Sequence, residues 1–162
     1  MVGEGKVEVR LSDNQVAFAV GDSLLVSKLI EGNYPNYRQV IPSEPDKRVE
    51  IDREHLHNTV RRVALLASDK SNSVKLVFKE GQLEVSANSP DVGEARETLD
   101  VPYSGKGMQI AFNPEFLMAP LRNLETETVL LDLIDEMSPG VIRVPQDTGG
   151  FLYVLMPMRV SS

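Results

Sequence analysis

The chain has 162 residues, a hydrophobic fraction of 41% and a formal net charge of −7. That apolar content supports a real core and argues against disorder, and the absence of cysteine excludes disulfides, thiolate metal sites and thiol nucleophiles. No apolar run approaches the roughly 18 residues of a spanning helix and no basic segment precedes a short apolar one, so neither a membrane span nor a secretory signal is expected and the default compartment is the cytoplasm.

In chain order, residues 6–11 alternate with period two, as a half-buried strand does. Ser12-Asp13-Asn14 turns the chain; residues 15–20 read as a second strand, Gly21-Asp22 as a turn and 23–30 as a third strand. Residues 31–47 carry three prolines and few apolar side chains, which marks an extended linker with a domain boundary near 36–46. Residues 48–51 are a short strand, and Asp52 caps a helix whose apolar face is Leu56, Val60, Val63, Ala64 and Ala67, ending near Ser68. Strands follow at 73–78 and 82–87 around Lys79-Glu80-Gly81, then an extended stretch from Glu94 to Val101 and a loop. After a strand at 108–112, Asn113-Pro114-Glu115 opens a second helix: a capping side chain, a proline at the first helical position and an acid near the positive end. Phe116, Leu117, Leu121 and Leu124 supply its apolar face, and Pro120 sits awkwardly in its interior. Strands at 127–134, 140–144 and 151–157 finish the chain.

Written as elements, residues 48–101 and 108–157 each read β-α-β-β-β, an internal repeat of pattern rather than of identity. The fold class expected is α+β: two such units with helices on one face of curved antiparallel sheets. The first 30 residues resemble the β-β-β tail of a further unit whose front is missing, so a C-terminal portion of a longer architecture is expected.

The search for catalytic chemistry is negative. His55 and His57 are two apart, so on a helix they diverge and do not match the four-residue spacing of a helical zinc pair. No carboxylate pair is singled out, and the glycine-lysine stretches at 3–6 and 105–107 lack the spacing of a phosphate loop. A small hydrolase or transferase on this scaffold therefore has no residues to name, and no cofactor is implied. Two features look like binding. Arg53, His57 and Arg61 form a stripe at four-residue spacing, with Arg62 beside them, that suits phosphates without reading bases or is an ordinary solvated face. The tail, Met156-Pro157-Met158, sets two polarizable thioethers around a rigid proline, either an adaptable partner surface or core filling.

Four segments then carry a family resemblance: "YVLMPMRV" at the end, "SKLIEGNYPNYRQVIPSEPDK" at the domain boundary, "ETLDVPYSGKGMQIAFNPEFL" and "LLDLIDEMSPGVI". In this order and spacing they resemble the bacterial sliding clamp, the beta subunit of DNA polymerase III, over nearly the whole chain from about Gly5. The resemblance implies the DNA-clamp fold, with residues 1–36 the last strands of an incomplete second domain, 37–42 a linker and 43–162 a complete third domain. It implies a non-catalytic processivity factor of DNA replication that encircles duplex DNA as a head-to-tail ring when full length. It also implies docking of DNA polymerase III, the clamp loader and repair proteins, the partners inserting short linear motifs of the form Gln-x-x-Leu-Phe into a hydrophobic groove.

Carried over by matching positions, the groove residues implied are Pro35, Tyr37, Val40, Asn113, Phe116, Met137, Met156, Pro157, Met158 and Arg159. Phe116 stands where a tyrosine is common in the family. The implied DNA-facing residues are Arg53, His57, Arg61 and Arg122, and the implied ring-interface residues are Arg62, Leu65, Leu66, Glu94 and Glu97. Localisation is expected to be cytoplasmic, at the nucleoid when on DNA, with no membrane partner. The rival reading is a shortened clamp acting alone as a peptide-binding adaptor or regulator without DNA.

Overall fold

The computed structural model describes residues 5–32, 36–41, 45–67, 72–146 and 150–159, in two units, Met1–Asn36 and Tyr37–Ser162. The first unit is an antiparallel meander of β1 (Glu8–Leu11), β2 (Gln15–Val20) and β3 (Ser23–Lys28), with Val9, Phe18 and Leu25 in one cross-strand row. Gly21 takes φ +55° in the two-residue turn between β2 and β3, a conformation that favours glycine.

The second unit holds β4 (Lys47–Asp52), α1 (Arg53–Ala64), β5 (Val74–Lys79), β6 (Gln82–Ser89), β7 (Gly93–Asp100), β8 (Met108–Phe112), α2 (Pro114–Asn123), β9 (Thr128–Leu133), β10 (Gly140–Arg143) and β11 (Leu152–Leu155). A short 3₁₀ turn at Tyr37–Gln39 precedes them. The β-α-β-β-β pattern read from the sequence is present twice. Its two copies interlock: one antiparallel sheet runs β11-β10-β9-β4 and the other β7-β6-β5-β8, so each repeat gives its first strand to the other's sheet. The α+β class is the observed one.

Neither repeat can bury its apolar face alone, and the exchange makes one core from both. Val49, Leu76, Phe78, Phe112 and Leu131 from the strands meet Leu56, Val60, Leu117 and Leu121 from the helices, all almost wholly buried. α1 packs against α2 and against strands of both sheets. At one crossing of the sheets the ring of Phe112 fills the place of a side chain on Gly140, whose added Cβ would lie 2.9 Å from Phe112 Cζ.

Asp52 caps α1 by accepting from the His55 amide at 2.7 Å. The α-helix stops at Ala64, short of the expected Ser68, which lies outside the described residues. Leu66 and Ala67 instead donate to Val63 and Ala64, a tighter three-residue turn that prolongs the apolar face and so mimics helical periodicity in the sequence. α2 opens as expected, Asn113 Oδ1 accepting from the Glu115 amide at 2.9 Å, and runs through the buried Pro120. Its apolar face differs from the expectation at Phe116, which is 61% exposed. The last strand also ends early, at Leu155, leaving Met156, Pro157 and Met158 outside it.

Candidate partner-binding site

The tail beyond β11 is held by backbone: the Met158 amide donates to the carbonyl of Ala111 in β8, at 2.8 Å. Since β11 and β8 are edge strands of different sheets, this bond ties the two sheet edges together and fixes Met156-Pro157-Met158 beside the start of α2. A cavity of about 510 Å³ lies there, lined by Asn113, Phe116, Tyr153, Val154, Leu155, Met156, Pro157 and Met158. Only Asn113 and Tyr153 of these carry polar side-chain atoms. An apolar cleft with a few polar groups is suited to capturing a short peptide's hydrophobic side chains.

Five of the ten expected groove residues come together in that lining: Asn113, Phe116, Met156, Pro157 and Met158. Tyr153, Val154 and Leu155 are added by the structure. Their signal was present in the sequence as the apolar run preceding the tail, which strand periodicity alone assigns to packing. Met137 and Arg159 are exposed but do not line the cavity, and neither does Val40, which is 42% exposed. Met137 sits in a turn where Asp135 Oδ1 accepts from the amides of Met137 at 2.8 Å and Ser138 at 2.6 Å. Those amides hold the Asp135 carboxyl below the ordinary carboxylate range. Tyr37 opens the 3₁₀ turn with its backbone, and Pro35 lies outside the described residues.

A larger cavity of about 630 Å³ has charges of both signs, with Lys47, Lys79 and Lys106 against Asp135 and Glu136. Lys47 is already bonded to Asp46 and to the Ile134 carbonyl, and Lys79 is paired with Glu84 at 3.5 Å. The smaller, apolar cavity is the better binding candidate because its chemistry has one character.

The four expected DNA-facing residues fall into different situations. Arg53 is half-buried and its guanidinium donates to the carbonyls of Thr126 at 2.7 Å and Leu121 at 2.8 Å, which fastens α1 to the end of α2. This commits two of its donor nitrogens inside the domain, a packing role that the charge stripe does not reveal. His57 is half-buried, with Nε2 out of contact with solvent and any hydrogen-bond partner. Arg61 is exposed, and exposed Arg122 makes, among the described residues, a long pair with Glu115 at 3.9 Å.

The expected ring-interface residues gather at the other end of the unit, where β7 is an edge strand. Arg62 grips Glu97 with two bonds, Nε to Oε1 at 2.7 Å and Nη2 to Oε2 at 2.6 Å. The hydrogen bond from Arg62, then its charge, holds the Glu97 carboxyl below the ordinary value of 4.5. Glu94 pairs with Arg96 at 2.7 Å. Leu65 is 81% exposed, whereas Leu66 is half-buried.

Known proteins match this chain over most of its length. Residues 38–159 match the family described as DNA polymerase III beta subunit, C-terminal domain. The beta sliding clamp of Salmonella typhimurium is 38% identical over 158 residues, 98% of this chain and 43% of that protein. That of Escherichia coli K12 is 37% identical over the same shares. Among solved structures, the sliding clamp of Bartonella birtlesii bound to griselimycin superposes with a TM-score of 0.82 at 33% identity, covering 96% of this chain and 42% of that one. The DNA polymerase III beta subunit of Pseudomonas aeruginosa gives 0.81 at 32% identity, over 95% of this chain and 42% of that one. This chain therefore spans about 43% of the length of the curated relatives it matches.

Proposed function

The chain belongs to the DNA polymerase III beta subunit family, the sliding clamps, and on that premise we propose that it serves as the partner-docking part of a replication clamp. In this reading residues 43–162 are the third clamp domain and 1–36 the end of the second. The observation that carries it is the apolar cavity closed by Phe116, Met156, Pro157 and Met158. DNA polymerase III and repair proteins would insert the Leu-Phe end of a short motif there, shielding those side chains from water. The role is non-catalytic, and the setting is the bacterial cytoplasm.

Retention on duplex DNA, in the same reading, belongs to the full-length head-to-tail ring. The backbone charges would be met loosely and without base contacts by Arg61 and Arg122, the two candidate arginines left exposed. The β7 edge, the Arg62–Glu97 pair and exposed Leu65 would face the next subunit; an exposed leucine beside an unpaired strand edge is costly unless covered.

Fluorescence anisotropy with a labelled Gln-Leu-Ser-Leu-Phe peptide tests the docking site. Saturable binding is expected, weakened about tenfold or more when Met156→Ala and Met158→Ala are combined, from the transfer energy of the lost side chains. Equal affinity in the double variant would remove the cavity from the mechanism. A second reading, a stand-alone peptide adaptor without DNA, draws support from the described lining residues of the cavity all belonging to one unit. Binding by the isolated chain would favour it, and binding only after an upstream domain is joined would not.

A further inference from the structure

The sulfur atoms of this chain are unevenly placed. There is no cysteine, and thioethers are the only sulfur chemistry present. Among the described methionines, Met118 is 5% exposed, Met108 and Met158 are half-buried, and only Met156 and Met137 are open, at 63% and 58%. Both exposed ones belong to the same end of one strand pair: Gly140 and Leu155 are register partners, Met137 comes three residues before the first and Met156 directly follows the second. Met156 is also a wall of the apolar cavity, alongside Phe116, Val154 and Pro157.

Thioether oxidation follows exposure, and with no thiol in the chain nothing nearby intercepts the oxidant. We propose that Met156, seconded by Met137, is an oxidation site, and that its conversion to the sulfoxide closes the cavity to apolar peptide side chains. The closure half of this rests on the peptide-docking reading above. In the step itself a peroxide transfers one oxygen atom to the thioether sulfur: the O–O bond breaks, a sulfur–oxygen bond forms, sulfur gives up two electrons and water leaves. The product carries a strongly polar oxygen beside Phe116, Val154 and Pro157, so seating a leucine or phenylalanine against it strips that oxygen of water.

The test treats the whole chain with limiting hydrogen peroxide and follows it by peptide mass spectrometry and by anisotropy with the labelled Gln-Leu-Ser-Leu-Phe peptide. Met156 and Met137 should take up oxygen well before Met108 and Met118. Oxidation at Met156 should weaken peptide binding about tenfold, the scale set by desolvating one uncompensated polar group. A Met156→Leu chain, whatever its own starting affinity, should bind equally before and after peroxide. Met118 oxidising as fast as Met156 would overturn the site, because selectivity by exposure would be absent. Undiminished binding by the oxidised chain, or an equal loss in Met156→Leu, would overturn the closure while leaving docking intact. No binding before peroxide would overturn docking and the closure with it, the order of oxidation still standing as a separate readout of the site.

Discussion

Asp132 is the residue on which local charge logic turns. It is 2% exposed, on the face of β9 opposite the core residues Val129, Leu131 and Leu133. Arg48 from β4 meets it with two bonds, at 2.6 and 2.8 Å, and Arg143 from β10 with one at 2.9 Å. One carboxylate thus joins three neighbouring strands, which no pairwise reading of the sequence exposes. Replacing it with alanine should destabilise the chain by about 1–3 kcal/mol, measured by urea unfolding. The full cost of an orphaned buried charge is not expected, because the Arg48 and Arg143 side chains keep 51% and 30% of their exposure and can return to water. Glu97 makes a pH prediction of known sign. Its folded pKa is depressed by Arg62, so the stabilisation is present above the ordinary value of 4.5 and is lost as pH falls through the folded value. Melting temperature should fall between pH 7 and about pH 3 by less in Glu97→Gln than in the unaltered chain. Equal falls in both would mean the pair adds nothing.

Among elements, helix starts are written locally in the sequence, whereas element ends depend on distant contacts. Asp52 and Asn113 each cap through a local side-chain bond, so their chemistry is contained in three or four consecutive residues. Within α2, Phe116 has the spacing of the apolar face, yet it is exposed and lines the cavity, where the family resemblance places it. Helical periodicity records which side chains are apolar, not whether they are covered by the chain itself or left for a partner. The end of β11 differs from its apolar pattern for a related reason. Residues 151–157 are uniformly strand-like, but the Met158 bond to Ala111 draws the tail toward the other sheet, a pairing between residues 47 positions apart in the chain.

At the scale of the molecule, the two units differ in how they treat apolar surface. The second unit closes two sheets over two helices and buries most of its large apolar side chains. The first is three strands in which Val9, Leu11, Leu24, Leu25 and Val26 each keep more than half their exposure. Three strands that leave this much apolar surface open are only marginally stable. Backbone amides of β1–β3 should therefore exchange with deuterium well before those of β5, β6 and β9, as followed by hydrogen-exchange mass spectrometry. Equal protection would mean that some cover shields the small sheet.

The repeat, the α+β class, the helix caps and the apolar tail were all legible in the residues alone, because each depends on neighbours within one element or on the recurrence of a pattern. The family was legible too, through four segments whose order and spacing carry it. What only the tertiary structure decided is which strand each repeat gives away, that Arg53 donates to the carbonyls of Leu121 and Thr126, and that Tyr153, Val154 and Leu155 complete a cavity with Phe116. These facts depend on contacts between residues far apart in the chain, and side-chain type at a single position does not specify the partner it will meet.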